Sequence, residues 1–287
     1  MIHTIRPLLK RTHHPLALMA CLLIGSPVPR AGASLMVYDF NLGPVPARNC
    51  DYVESIGFSG IVTSVATQSD LTTLQDYTQH VLTMNGFDLF ALIHFDFHDP
   101  SSPGVWRGAL PILAQTGAPL WVIVKNSPST TATRDLLRDM ARWTSFYGIE
   151  AAIYPHWDTD IETAAEASAF IAMVGHPNLK NSLHTCHEIR GGNQYTLPAV
   201  AAAYASEAAF VTIAGAEDQA YSGPPPHPWD DAIMPLGQGG FDLLPFLRAL
   251  NNAGYDGPII LHTYGILSPP WHLQESRAVY AELSSNL

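Results

Sequence analysis

The feature that most constrains this chain is an eightfold alternation. Short, near-continuous apolar runs recur at 36–40 (MVYDF), 59–64 (SGIVTS), 88–95 (DLFALIHF), 119–125 (PLWVIVK), 150–154 (EAAIY), 179–184 (LKNSLH), 208–213 (AAFVTI) and 258–262 (PIILH). Runs of this kind suit parallel strands covered on both faces. Helical patterns stand between them, most clearly at 131–146, 160–174, 195–206 and 242–254. Asp160 is placed to cap the second of these helices and Asp242 to open the last, with Gly254 as its stop. Eight strand–helix units in about 250 residues predict an α/β protein, a single-domain (β/α)8 barrel over 34–287, rather than a doubly wound sheet. The first run leads into Gly43-Pro44-Val45-Pro46. Prolines have no amide to offer a pyrophosphate, so a dinucleotide loop is not expected there.

Residues 1–33 stand apart from this pattern. They hold Arg6, Lys10, Arg11 and Arg30, no acid, an apolar run over 15–28, and the small-residue exit Ala31-Gly32-Ala33. Those three parts predict a signal peptide cleaved after Ala33 and a secreted or periplasmic protein. The run is too short for a stable membrane span. Leu18-Met19-Ala20-Cys21 has the outline of a lipidation box, but the apolar run continues past the cysteine, which argues against an anchor. With 14 Lys plus Arg against 25 Asp plus Glu, a basic nucleic-acid footprint is excluded. Cys50 and Cys186 are too few for a disulfide scaffold and have no zinc spacing; the sequence leaves open whether they pair.

Barrel active sites lie at the carboxyl ends of the strands, so the polar residues there carry the functional reading. The third run ends in His94-Phe95-Asp96-Phe97-His98, the fourth in Lys125-Asn126, and the fifth in Tyr154-Pro155-His156-Trp157. The sixth ends in His184-Thr185-Cys186-His187-Glu188-Ile189-Arg190, the seventh in Thr212 with Glu217 beyond, and the eighth in His262-Thr263-Tyr264. Six of the 13 histidines thus map to one rim. Imidazoles there offer metal ligands or proton carriers. Trp106, Trp157 and Trp229 fall in expected top loops, where flat rings suit a sugar. The run Pro224-Pro225-Pro226-His227-Pro228 reads as a rigid excursion over the mouth.

One stretch is more specific. Gly237-Gln238-Gly239-Gly240-Phe241-Asp242, then 246–250 (FLRAL), then Gly254-Tyr255-Asp256-Gly257-Pro258 resembles the closing sequence of the xylose-isomerase-like sugar isomerase/epimerase superfamily. Tyr154-Pro155-His156 stands where that family has Glu-x-His, and His184-Thr185-Cys186-His187 where it has Asp-x-x-His. The resemblance implies a divalent metal on four residues, one from each of strands five to eight, with two glutamates moving protons beside a sugar carbonyl. The matching positions here are Tyr154, His184, Thr212 and His262, and none keeps the family residue.

The resemblance therefore implies a sugar isomerase/epimerase-like enzyme with an altered, His-rich site. The expected roles are His184 and His262 as ligands of a divalent metal (Zn, Mn, Ni or Fe), with His156, His187 and Glu188 as acid–base groups. His94, Asp96, Tyr154, Trp157 and Arg190 would contact a carbohydrate or polyol. Two alternatives stand beside it: a non-catalytic carbohydrate-binding relative, and a keto-glycoside lyase or hydrolase. A homo-oligomer is compatible with all three.

Overall fold

The computed structural model describes residues 34–266 and 271–287. The expected leader and its cleavage point lie outside the described residues. In chain order the elements are β1 (Leu35–Tyr38), α1 (Pro46–Ser55), β2 (Gly60–Val65), α2 (Asp70–Val81), β3 (Asp88–Asp96) and α3 (Ser102–Leu113). Then come β4 (Leu120–Lys125), α4 (Thr130–Tyr147), β5 (Ala151–Ile153), α5 (Ala164–Val174), β6 (Leu179–His184) and α6 (Thr185–Arg190). The chain closes with α7 (Leu197–Tyr204), β7 (Ala208–Ile213), α8 (Leu244–Asn252), β8 (Ile259–Leu261) and α9 (Trp271–Ser284).

The eight strands close in sequence order, every neighbour parallel, with β8 returning to β1. This is a single (β/α)8 barrel. Alternation along each strand sorts the core into two shells. Val37, Ile61, Leu89, Ile93 and Val122 point outward to the helices. Met36, Tyr38, Val62, Phe90, Leu92, Trp121, Ile123, Phe210 and Ile260 fill the barrel. Branched aliphatics usually dominate that interior. Here an indole sits in it: Trp121 is fully buried, with Tyr154, Phe210 and His184 at ring-centroid distances of 4.8, 5.0 and 5.1 Å. It forms the floor beneath the carboxyl-end mouth.

One capping expectation needs correction. Helix α5 begins at Ala164 because Thr163 and Glu166 form a reciprocal capping box, a stronger start than Asp160 offers. Asp160 instead accepts from the Ser127 amide at 2.8 Å. Asp242 does open α8, accepting from the Leu244 amide at 3.0 Å, and Gly254 follows that helix in the left-handed region. Trp106 is not in a top loop; it is buried on α3. Cys50 and Cys186 are both buried and both free. Among the described residues no helix is long and apolar enough to cross a membrane.

Candidate active site

A cavity of about 370 Å³ opens at the carboxyl end of the barrel. That lies within the range of small-ligand pockets. Its polar wall is His94, Lys125, Tyr154, His156, His187 and His262; Phe40, Trp229 and Tyr264 supply flat rings. Among the described residues no carboxylate lines it. The imidazoles converge: the His156 and His187 centroids are 4.1 Å apart, and His187 and His262 are 6.1 Å apart.

The hydrogen bonds fix what each ring can do. The Tyr264 amide donates to His262 Nδ1 at 3.3 Å, so His262 carries its proton on Nε2. That nitrogen donates to Tyr154 Oη at 3.2 Å, and Tyr154 donates onward to His187 Nε2 at 3.1 Å. The chain leaves His187 Nδ1 buried without a partner. His156 Nδ1 donates to the Trp157 carbonyl at 2.6 Å, so its Nε2 carries the lone pair. Burial holds every one of these rings neutral. It lowers His94 and His156 to about 4 and His262 to about 3, and it pushes His187 well below the usual range. Burial pushes the Tyr154 phenol well above its usual value, so it keeps its proton.

Five expected site residues sit elsewhere. His184 points into the barrel, two residues along the same strand face as Ser182. Trp121 Nε1 donates to Ser182 Oγ at 2.9 Å, and Ser182 donates to the Ile153 carbonyl at 2.6 Å. Ser182 then accepts from His184 Nε2 at 2.7 Å, and His184 Nδ1 accepts from Thr212 Oγ1 at 2.8 Å. Both nitrogens of His184 are engaged, so it has no lone pair for a metal. Glu188 turns away from the mouth because α6 rotates successive side chains by about 100°. It accepts from the Ala164 amide at 2.7 Å and from Asn193 at 2.6 Å, holding the start of α5.

Arg190 is 1% exposed and serves the long β7–α8 loop rather than a ligand. It pairs with Asp231 and donates to the carbonyls of Tyr221 and Pro228. Its guanidinium lies 5.1 Å over the Trp229 ring, which presents an edge to His187. Trp157 packs edge-on against Trp229 behind the wall. Asp96 lies outside the cavity and binds the His98 amide and Asn126. His98 is exposed. The β7–α8 loop reaches the cavity through Trp229 and Ile233, and Arg190 holds it by the Tyr221 and Pro228 carbonyls.

One group escaped the sequence reading. Asp39, directly after β1, is a largely buried carboxylate that burial raises to about 6. It accepts from Thr63 Oγ1 at 2.7 Å and is hydrogen-bonded to Tyr77. The only signal was an acid inside the apolar run MVYDF, where an acid is rarely buried without partners.

The four positions matching the family's metal ligands do not suit a hard cation. Tyr154, His184, Thr212 and His262 include no carboxylate, and they are hydrogen-bonded to one another in two pairs. A softer set does exist. Donor atoms of Cys186, His187 and His262 lie within 4.8 Å of one another, but both imidazoles are hydrogen-bonded to Tyr154 and would have to release it to free a lone pair for an ion. Thiol and imidazole favour a zinc-like ion over a manganese-like one.

A family model described as xylose isomerase-like TIM barrel matches residues 51–282. The chain belongs to that family. No curated protein sequence matches it. Among solved structures, the apo 3-keto-D-glucoside 4-epimerase YcjR of E. coli is similar with 14% identity and a TM-score of 0.67, covering 88% of this chain and 99% of its own. A D-allulose 3-epimerase from Methylomonas shows 17% identity and a TM-score of 0.60, covering 87% and 91%. The protein IOLI with a bound zinc atom shows 15% identity and a TM-score of 0.63, covering 88% and 98%. At such identities the likeness is one of fold.

Proposed function

We propose that this xylose isomerase-like barrel binds an unphosphorylated carbohydrate at its mouth and transfers a proton beside the sugar's carbonyl, as an isomerase or epimerase. The observation that carries the reading is the cavity wall: four neutral imidazoles and a phenol above an aromatic rim, with no carboxylate. Sugars are recognised by such neutral donor–acceptor heads and flat faces. Among the described residues Lys125 is the single cation in the lining, and Arg190 is held by Asp231, so a phosphate group has little to bind. His156 Nε2 offers a permanently available lone pair for a substrate C–H or O–H. Tyr154 keeps its proton and, by turning that proton from His187 Nε2, can donate to the carbonyl oxygen as charge builds there. Export by the 1–33 leader belongs to the same proposal; N-terminal sequencing of the protein from its native compartment checks it.

The test is solvent exchange. The protein is incubated in D2O with ketohexoses and with oxo-glycosides, and deuterium beside the carbonyl is followed by NMR. Incorporation that falls roughly 10²–10⁴-fold in His156→Ala supports the reading. Sugar binding by calorimetry with no incorporation from any ketose would leave the non-catalytic binder in its place.

The Cys186, His187 and His262 triangle favours a second reading, in which the three hold a soft cation. Such a cation would supply Lewis-acid polarisation of the carbonyl. Burial pushes the Cys186 thiol to about 12, so only a strongly thiophilic ion would displace its proton. Titration with Co²⁺ decides it. A thiolate-to-cobalt absorption band that disappears in Cys186→Ser supports the ion, and a spectrum without that band rejects it.

A further inference from the structure

A second cleft adjoins the His-rich cavity. It measures about 360 Å³ and shares two lining residues with the first, Phe40 and Ser64. Its own wall sets Asp39, Asn49, Thr63, Asp70, Thr73 and Tyr77 against the apolar Leu42, Pro44 and Pro46. Asp39 presents a carboxylate, steadied by the Thr63 hydroxyl at 2.7 Å and by Tyr77. Asn49 holds the Tyr77 hydroxyl in place at 2.8 Å while also donating to the Gly43 carbonyl at 2.8 Å. Thr73 is an exposed residue in the lining.

The junction between the two spaces is itself unfinished. Ser64 Oγ is a buried hydroxyl with no hydrogen-bond partner, and its residue lines both cavities. Buried hydroxyls are nearly always paired, and an orphan at a cavity wall is a group waiting for a ligand. Phe40 is the other shared residue. It stacks on Tyr38 at 5.1 Å and meets Tyr264 edge-on at 5.5 Å, so its ring is held in position.

We infer that the substrate is a glycoside with two hydroxylated units, one in the His-rich cavity and the second in the Asp39 cleft, with Ser64 Oγ bonding near the linkage. The inference rests on the proposed function for the first cavity and adds the substrate class. The physical reasons are three. The spaces meet at two shared lining residues, Phe40 and Ser64, and are of similar volume. Beside Leu42, Pro44 and Pro46, the second wall carries two carboxylate acceptors, Asp39 and Asp70, and hydroxyls, the partners a polyol needs and an apolar aglycone does not. The shared residues offer one orphan hydroxyl and one fixed flat ring.

The test compares affinities of the full mature chain for glucose, maltose, cellobiose and phenyl β-glucoside by calorimetry. At least one disaccharide is expected to bind about ten-fold tighter than glucose, the size of one added charge-assisted hydrogen bond. Phenyl β-glucoside should gain far less. In Asp39→Asn, and independently in Thr73→Trp, the ratio of disaccharide to glucose affinity should collapse to about one. Thermal unfolding confirms that each variant folds, and Thr73→Trp leaves the buried Asp39 network intact if Asp39→Asn does not fold. Equal affinities for glucose and both disaccharides overturn the inference while leaving the proposed function standing. A phenyl gain equal to the disaccharide gain, or a gain untouched in either folded variant, also overturns it. Failure of all four sugars to bind overturns the inference; the proposed function falls only if the ketohexoses and oxo-glycosides of its own test also neither bind nor exchange deuterium.

Discussion

The two sides of the barrel mouth treat charge in opposite ways. Beyond β5 to β8, burial drives His156, His187 and His262 far below neutrality, so they are uncharged at any physiological pH. Beyond β1 and β2, burial drives Asp39 up to about 6, towards the range where it titrates. The same desolvation acts on both, and the sign of the charged form decides the direction. Residue type therefore misleads. The histidines are the fixed neutral groups of this mouth, and the carboxylate is its titratable one.

The largest test of that contrast is acid. A buried histidine lowered from 6.5 to about 4 binds its proton more readily in the unfolded chain. Stability is therefore intact above pH 6.5 and falls as the pH drops towards 4. Each such ring contributes on the order of 3 kcal/mol to the loss. Several act together, so the urea midpoint should collapse between pH 6.5 and 4; a flat midpoint from pH 7 to 5 would break the comparison. Next in size is Arg190→Met, which strands Asp231 and two carbonyls under the β7–α8 loop. It should lower stability by about 3–5 kcal/mol and weaken sugar binding through Trp229, read by urea unfolding and calorimetry.

Asp39→Asn should act in the opposite sense. A raised carboxylate contributes stability below its unfolded pKa and loses it as the pH rises through about 6. The variant should be more stable than the parent by about 1–2 kcal/mol at pH 8, with the gain vanishing by pH 5. Urea midpoints of both proteins at the two pH values check the crossing. The smallest effect is Glu188→Gln. It keeps one acceptor at the start of α5, and should cost about 1 kcal/mol while leaving sugar affinity unchanged.

The barrel was legible because parallel strands buried on both faces read as apolar runs, and all eight strands fall within two residues of their expected places. The site was legible only in part. Sequence spacing brought His94, His156, His187 and His262 to one rim, and the cavity contains all four. It could not reveal which lone pairs were free, and so His184 looked like a ligand when Ser182 and Thr212 had taken both nitrogens. Six residues, TCHEIR, are too few to show a helical period. Glu188 and Arg190 were thus assigned to the mouth, when one turn of α6 points them at α5 and at the covering loop. Asp39 vanished into the first apolar run.

The seam beneath the site reaches beyond chemistry. Trp121, Ser182, the Ile153 carbonyl, His184 and Thr212 join β4, β5, β6 and β7 crosswise through side chains, beside the backbone ladder. Strand β5 has just three residues and a correspondingly thin ladder of its own. A strand that short would ordinarily be the place where a barrel breathes. Stitched to its neighbours at Ile153, it should open only when the whole four-strand sector opens, so that its amides exchange with solvent as slowly as those of β4.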